Sequence, residues 1–230
     1  MSDHIQLEVL DADGAIRDSA EAAGMQRGDF LRRGAATGAG FVAGGVLFSG
    51  FVSPAEAAIS RKQSKRNDLK IANYALTLEY LEAEFYKQAI ANNAFPNEAY
   101  RRFATVTGAH EDAHVKALRA LLGKRAVKKP TFDFGDAVTN PTKFAATAQA
   151  LEDTGVAAYA GQGPNIAQRA VVQAALSIHS VEARHAAWIR FLNHAGTSDQ
   201  ESLLPAPEAF DVAASEKKTL RIVTETGFIK

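Results

Sequence analysis

Apolar residues recur at helical spacing in four long segments between about residue 67 and residue 196. In the first segment, Leu69, Ala72, Leu76, Ala83 and Ile90 follow one another at intervals of three, four or seven, so they share one face of a helix. The alternation that marks a β-strand is nearly absent. The pattern therefore predicts an all-α protein, with helices over residues 67–92, 96–123, 140–163 and 164–196.

Capping residues mark the ends of these predicted helices. Asn and Asp favour the position before a helix, proline its first turn, and glycine the position after its last turn. We predict caps at Asn67-Asp68 and Asn140-Pro141, helix starts at Pro96 and Pro164, and ends at Gly123, near Gly161-Gln162-Gly163 and near Gly196. The longest connection joins helices two and three, which is typical of an up-down four-helix bundle with one long crossover.

A C-terminal arm, residues 197–230, follows the bundle, which we assign to residues 58–196. The arm contains prolines and then an amphipathic stretch that predicts one short helix from about Ser215. We expect Leu220, Val223 and Phe228 to pack on the outside of the bundle.

Residues 1–57 have the order of an export leader rather than of a folded domain. Residues 1–33 are polar, lack a sustained apolar period and are predicted to be disordered. Residues 34–52 form a Gly- and Ala-rich apolar run, and Ala-Glu-Ala at residues 55–57 fits a small-x-small cleavage site. The order of positive, apolar and small residues is that of a secretory signal.

The leader also suggests a route of export. Residues 27–32 resemble a twin-arginine signal, although Gly28 stands where the second arginine belongs, and the pair Arg32-Arg33 lacks the Phe-Leu that should follow it. We predict export by the twin-arginine route, cleavage near Ala57/Ala58, and a periplasmic protein with no stable membrane association. The alternative is that the apolar run is retained as a membrane anchor.

Composition excludes several classes of function. Lys plus Arg and Asp plus Glu both number 26, so the chain lacks the basic excess of a nucleic-acid-binding protein. It contains no cysteine. Disulfides, thiolate zinc sites and cysteine nucleophiles are therefore excluded.

In two of the predicted helices, ionisable residues interrupt the row of apolar residues along one face. The stripe of the second helix contains Glu111 and His114, and that of the fourth contains Glu182 and His185. Residues three apart lie on one face of a helix, so each Glu-x-x-His pair points in one direction. Both pairs should therefore face the interior of the bundle.

The first and third helices each place one carboxylate among the apolar residues of the face that should turn inward, at Glu79 and Glu152. Four buried carboxylates are very costly unless cations neutralise them. Two divalent ions would balance four Glu charges with both histidines neutral, and two of the Glu residues could bridge the ions. Oxygen and imidazole donors with open positions suit iron or manganese better than zinc. We predict a two-metal site, most simply di-iron, with these ligands: Glu79, Glu111, His114, Glu152, Glu182 and His185.

The chain also contains an internal repeat. Tyr86 follows Glu79 by seven residues, and Tyr159 follows Glu152 by seven. Two similar helix pairs in this order resemble the di-iron carboxylate members of the ferritin-like class, some of which carry a tyrosine seven after the first glutamate. Four stretches within residues 67–213 resemble more narrowly the ferritin-like family that includes desiccation-related proteins: LTLEYLEA at 76–83, HEDAHV at 110–115, LEDTGVAAY at 151–159 and VEARHA at 181–186.

The resemblance implies a di-metal oxidoreductase, ferroxidase-like or peroxidase-like, that acts on dioxygen or peroxide in stress defence. The alternative that it leaves open is a non-enzymatic, desiccation-related protective bundle with a structural or vestigial metal site. Bundles of this class often pair along helix faces, so a homodimer is one assembly that the resemblance allows. The other predicted partners are the metal ions, the oxidant and, through the leader, the export machinery, with no nucleic acid.

Four residues near the predicted ligands leave room for other interpretations. Glu82, in a neighbouring stripe, is an alternative to Glu79 as the first-helix ligand, or could support a ligand histidine from outside. His110 makes HEDAH match the H-E-x-x-H zinc peptidase motif, which would leave four of the six predicted ligands unexplained. His110 then either supports a ligand from outside the donor set or is a satisfied core histidine, and we favour the core histidine. For Tyr86 and its counterpart Tyr159 we predict core packing with the hydroxyl hydrogen-bonded near the site.

Overall fold

A computed structural model of the chain describes residues 59–195 and 205–230. Within these ranges there are five α-helices: α1 Lys65–Asn92, α2 Glu98–Leu122, α3 Pro141–Gln162, α4 Arg169–His194 and α5 Glu216–Thr226. Short 3₁₀ turns cover Gly123–Arg125, Gly135–Val138 and Gly163–Asn165. The predicted leader, Gly196 and the first part of the arm lie outside the described residues.

The four long helices form two hairpins that pack together as one bundle. Helix α1 packs against α2, and α3 against α4, while residues 123–140 connect the two hairpins. Asn93 ends α1 in the left-handed conformation, with φ 53°, so the chain can turn directly into α2. The all-α bundle with one long crossover is therefore confirmed.

The start of α1 differs from the prediction. Ser64 is the N-cap, and its hydroxyl accepts a hydrogen bond from the backbone N–H of Asn67. The side chain of Asn67 instead bonds the backbone of Ser60 and Asn165. Asn67 and Asp68 are both buried, because they tie the start of α1 to the turn between α3 and α4.

The two helix starts predicted at prolines also differ from the structure. Pro96 lies just before Asn97, whose side chain caps α2 at the N–H of Ala99. Pro164 belongs to the 3₁₀ turn, and α4 begins only at Arg169. The carboxylate of Asp68 on α1 accepts hydrogen bonds from the backbone N–H groups of Ala167 and Gln168, 2.8 and 2.9 Å away, so a residue distant in sequence holds the two residues that precede α4. The predicted cap at Asn140 of α3 is confirmed.

Aromatic side chains fill one half of the bundle core. Phe85 and Phe144 stack with ring centroids 5.5 Å apart, and Tyr86 meets Phe103 edge to face at 5.8 Å. These four side chains are fully buried. Phe134 of the crossover covers Phe85 at 5.4 Å, so the long connection seals the core instead of looping into solvent.

The arm packs on the bundle, as the sequence indicates. Ser215 caps α5, Val223 is buried, and Leu220 and Phe228 pack against the core. The chain end pairs with the crossover through an isolated antiparallel bridge between Phe132 and Ile229. Among the described helices, none is long and apolar enough to cross a membrane.

Candidate metal centre

The six predicted ligands converge at the centre of the bundle. Each hairpin supplies one lone glutamate and one Glu-x-x-His pair, and the i, i+3 spacing turns both members of each pair inward. All four glutamates are completely buried, and the two histidines nearly so. The structure therefore brings together every residue of the predicted set: Glu79, Glu111, His114, Glu152, Glu182 and His185.

One donor group surrounds the Nδ1 atom of His114. This nitrogen lies 3.1 Å from Oε2 of Glu79, 3.1 Å from Oε2 of Glu111 and 3.1 Å from Oε1 of Glu182. One nitrogen carries at most one proton and cannot donate a full hydrogen bond to three oxygens. The arrangement is that of donors facing a common point.

A second donor group surrounds the Nδ1 atom of His185. This nitrogen lies 3.1 Å from Oε1 of Glu111 and 3.2 Å from Oε2 of Glu152. Glu182 completes the group, whose donor atoms all lie within 4.8 Å of one another. Glu111 and Glu182 belong to both groups, so these two carboxylates stand where bridging ligands would stand.

The donor set fits metal ions. Five of its buried atoms have no hydrogen-bond partner: Oε1 of Glu111, Oε2 of Glu152, both carboxylate oxygens of Glu182 and Nδ1 of His185. Orphaned buried polar atoms are rare in folded proteins. Donor atoms 3.1 to 3.2 Å apart, as around each histidine nitrogen here, are close enough to bind one ion together. A divalent cation in each group would satisfy these atoms.

Electrostatics shows the same need for cations. Burial, and then the neighbouring carboxylates, raise the pKa values of Glu111 and Glu182 well above the ordinary range. Burial alone would lower the pKa of His114, but hydrogen bonds to Glu111 and other cluster carboxylates raise it to about 12. Without metal, protons must therefore replace the missing positive charge.

Two tyrosines hold the outer oxygens of the lone glutamates. Tyr86 on α1 donates its hydroxyl to Oε1 of Glu152 on α3, and Tyr159 on α3 donates to Oε1 of Glu79 on α1. Burial, and then the adjacent carboxylate, raise the pKa of both phenols well above the ordinary value. Both therefore remain donors, and the predicted packing with a hydrogen bond is what the structure shows.

Glu82 is a fifth carboxylate beside the cluster, but it belongs to neither donor group. Glu79 occupies the first-helix position instead. Within the described residues, Glu82 makes no hydrogen bond to either ligand histidine. It lies across from Gly155, where a Cβ atom would meet Oε1 of Glu82 at 3.2 Å and Oε2 of Glu182 at 3.1 Å. Burial and then Glu182 raise its pKa well above the ordinary value.

The prediction that His110 is a core histidine is wrong. His110 is exposed, and its Nδ1 lies 2.9 Å from Nε2 of His185. His110 directly precedes Glu111 on α2, and its side chain reaches across to His185 on α4. Burial and then His185 lower its pKa. His110 lies in neither donor group and Glu111 lies in both, so the geometry does not support the zinc peptidase interpretation.

A protein-family model described as "Ferritin-like domain" matches residues 67–195. The match covers more than half of the chain, includes all six cluster residues and ends with α4. No curated protein matches the chain.

Proposed function

The chain belongs to the ferritin-like domain family, and we propose that it binds two iron or manganese ions and performs redox chemistry with dioxygen or peroxide. The observation that carries the proposal is the pair of buried donor groups that share Glu111 and Glu182. Two shared carboxylates would hold two ions side by side, which a purely structural single-ion site does not require.

Charge and ligand type favour these metals. Four glutamates balance two divalent ions if both histidines are neutral. Carboxylate and imidazole donors suit iron and manganese, while the absence of cysteine removes the ligand that structural zinc most often uses. Two such ions would supply one-electron oxidation and reduction next to a bound oxidant.

The residues of the chain would support this chemistry in three ways. Complete burial of the carboxylates excludes bulk water and strengthens their attraction to cations. The hydroxyls of Tyr86 and Tyr159 orient Glu152 and Glu79, the two carboxylates that are not shared. Gly155, which has no Cβ, lets the backbone of α3 lie close to the shared Glu182.

Metal content tests the proposal directly. The full chain is purified, loaded anaerobically with Fe(II) or Mn(II), desalted and measured by plasma mass spectrometry, beside a Glu111→Gln/Glu182→Gln variant. We expect about two ions per chain in the wild type and loss of both in the variant, because each substitution replaces a charged carboxylate of both groups with a neutral amide, a much weaker ligand. Circular dichroism should show the same helix content for both proteins.

Oxidation kinetics then separate an enzyme from a protective bundle. Fe(II)-loaded protein is mixed with dioxygen or hydrogen peroxide in a stopped-flow instrument. Rapid oxidation that the double variant lacks supports an oxidoreductase. A wild type that takes up no metal overturns the proposal, and a metal-loaded protein inert to both oxidants leaves the structural-metal alternative.

We further propose that residues 1–57 export the protein, which would place this chemistry in the bacterial envelope. Support comes from the order of charged, apolar and small residues in the sequence. Fractionation of cells that express the full chain, beside an Arg32→Lys/Arg33→Lys variant, tests it. Equal cytoplasmic retention of both proteins would contradict it.

A further inference from the structure

His110 and His185 are joined edge to edge by one hydrogen bond. Nδ1 of His110 lies 2.9 Å from Nε2 of His185, the ring planes differ by 19°, and the ring centroids are 5.2 Å apart. Faces in van der Waals contact would bring the centroids closer than this. The two rings are therefore nearly coplanar, and an in-plane N–H···N bond connects them.

The direction of this bond follows from the site. Nδ1 of His185 faces Glu111 and Glu152, so it must be unprotonated to bind a metal ion. The remaining proton of His185 then lies on Nε2 and is donated to Nδ1 of His110. A bond of this kind fixes the tautomer and the ring orientation of a metal ligand and raises its basicity.

The other ligand histidine has no such support. His114 makes its hydrogen bonds through Nδ1, and none joins its Nε2 to any residue in the described ranges. The two donor groups are otherwise similar, each with one lone glutamate, one histidine and the two shared glutamates. The His110 contact is therefore a difference between two nearly symmetrical halves.

We propose that His110 is a positioning residue that makes the two metal positions unequal. It strengthens binding at the Glu152–His185 position and leaves the Glu79–His114 position unaffected. The inference rests on the proposed function, because it requires that the cluster binds two ions. It goes further in assigning a role to an exposed residue outside the ligand set.

Manganese titration of metal-free full chain tests the role of His110, with free Mn(II) measured by electron paramagnetic resonance. Two backgrounds isolate the positions: Glu79→Ala keeps the His185 position, and Glu152→Ala keeps the His114 position. We expect His110→Ala to weaken Mn(II) binding about 10- to 100-fold in the first background. In the second background the change should be less than about twofold, the level expected for a site that His110 does not touch.

Two further variants separate positioning from general damage. His110→Asn should restore most of the affinity, because the side-chain oxygen of asparagine can accept the same hydrogen bond. His194→Ala, near the end of α4 and outside both donor groups, should change neither position. The spectrum of bound Mn(II) in the Glu79→Ala background should change with His110→Ala and return with His110→Asn.

The outcomes distinguish this inference from the proposed function. Wild-type protein that binds neither Mn(II) nor Fe(II) refutes both. Two intact metal positions that are insensitive to His110→Ala, or that weaken equally in both backgrounds, refute the positioning role alone.

Discussion

Gly155 of α3 lies beside the carboxylates of Glu82 and Glu182. A Cβ atom at this position would come within 3.2 Å of one oxygen of each. Glycine within a helix costs about 1 kcal/mol relative to alanine. The close approach of α3 to a shared carboxylate is therefore obtained at the expense of helix stability.

Gly155→Ala should separate stability from metal binding. We expect the metal-free protein to keep its stability or gain up to about 1 kcal/mol from helix propensity, because only the ends of two side chains need to move. Mn(II) affinity should fall about tenfold, the scale for a disturbed ligand, since Glu182 serves both donor groups. Urea unfolding and Mn(II) titration measure the two effects.

Thr154→Ala is the matched control for this substitution. Thr154 is the preceding residue of α3, is only partly buried, and bonds its own helix through Ala150. It should leave metal affinity unchanged. Wild-type affinity in Gly155→Ala would show that the absence of a side chain at Gly155 has no part in metal binding.

At the scale of single residues, the sequence indicates the cluster because charged residues interrupt an apolar stripe. Glu111 and His114 stand out for this reason, and the structure brings them together with the other four. Periodicity alone did not separate Glu82 from Glu79 as the first-helix ligand, because both lie on buried faces of α1. The contact of His110 depends on how α2 and α4 pack, which helical periodicity does not encode.

The C-terminal arm lies against α3 at one point where the two backbones come very close. Ala214 donates its N–H to the carbonyl of Ala157 on α3, at 2.8 Å. Its own carbonyl oxygen lies 1.8 Å from where a Cβ on Gly161 would be. No side chain can occupy this position, so Gly161 is what allows the arm to lie against α3.

Gly161→Ala should therefore release the arm. We expect a loss of about 1 to 3 kcal/mol of stability, typical of overpacking, and faster protease cleavage within residues 205–215. Thermal unfolding and limited proteolysis followed by mass spectrometry measure these changes. Gly163→Ala is the control, because a Cβ there meets nothing within 4 Å. Equal cleavage in both variants would contradict the proposed anchoring.

The bodies of the helices follow from periodicity, but some of their ends do not. Periodicity reports which residues share a face, and it gives the extents of α1, α2 and α3 closely. The start of α4 was misplaced because Asp68 on α1 holds the backbone N–H groups of Ala167 and Gln168, just before the helix, and this tertiary contact has no local sequence signal. Asn140 was identified correctly because its cap is local to α3.

For the whole molecule, the cluster opposes folding when metal is absent. Five carboxylates, counting Glu82, lie buried at the centre of the bundle. Metal ions that bind only the folded chain would stabilise it through mass action. In their absence the folded chain must hold protons, and its stability must depend on pH.

The direction of this dependence follows from the raised pKa values. The pKa values of Glu82, Glu111 and Glu182 are raised by burial and by the other carboxylates, and that of His114 is raised to about 12. Above the ordinary glutamate pKa, the folded state therefore binds more protons than the unfolded state. The free energy of unfolding must then fall as pH rises, by about 1.4 kcal/mol per pH unit for each extra proton.

Urea unfolding of metal-free protein between pH 5 and pH 9 should show this decline. Glu82→Gln should make the decline shallower, because its amide cannot lose the proton that the buried carboxyl must keep, whereas the exposed Glu98→Gln should not. Two bound Mn(II) ions replace protons at the cluster, so the loaded wild type should be more stable and lose less stability as pH rises. Stability of the metal-free chain that rises from pH 5 to pH 9 would show that the carboxylates do not retain protons in the fold.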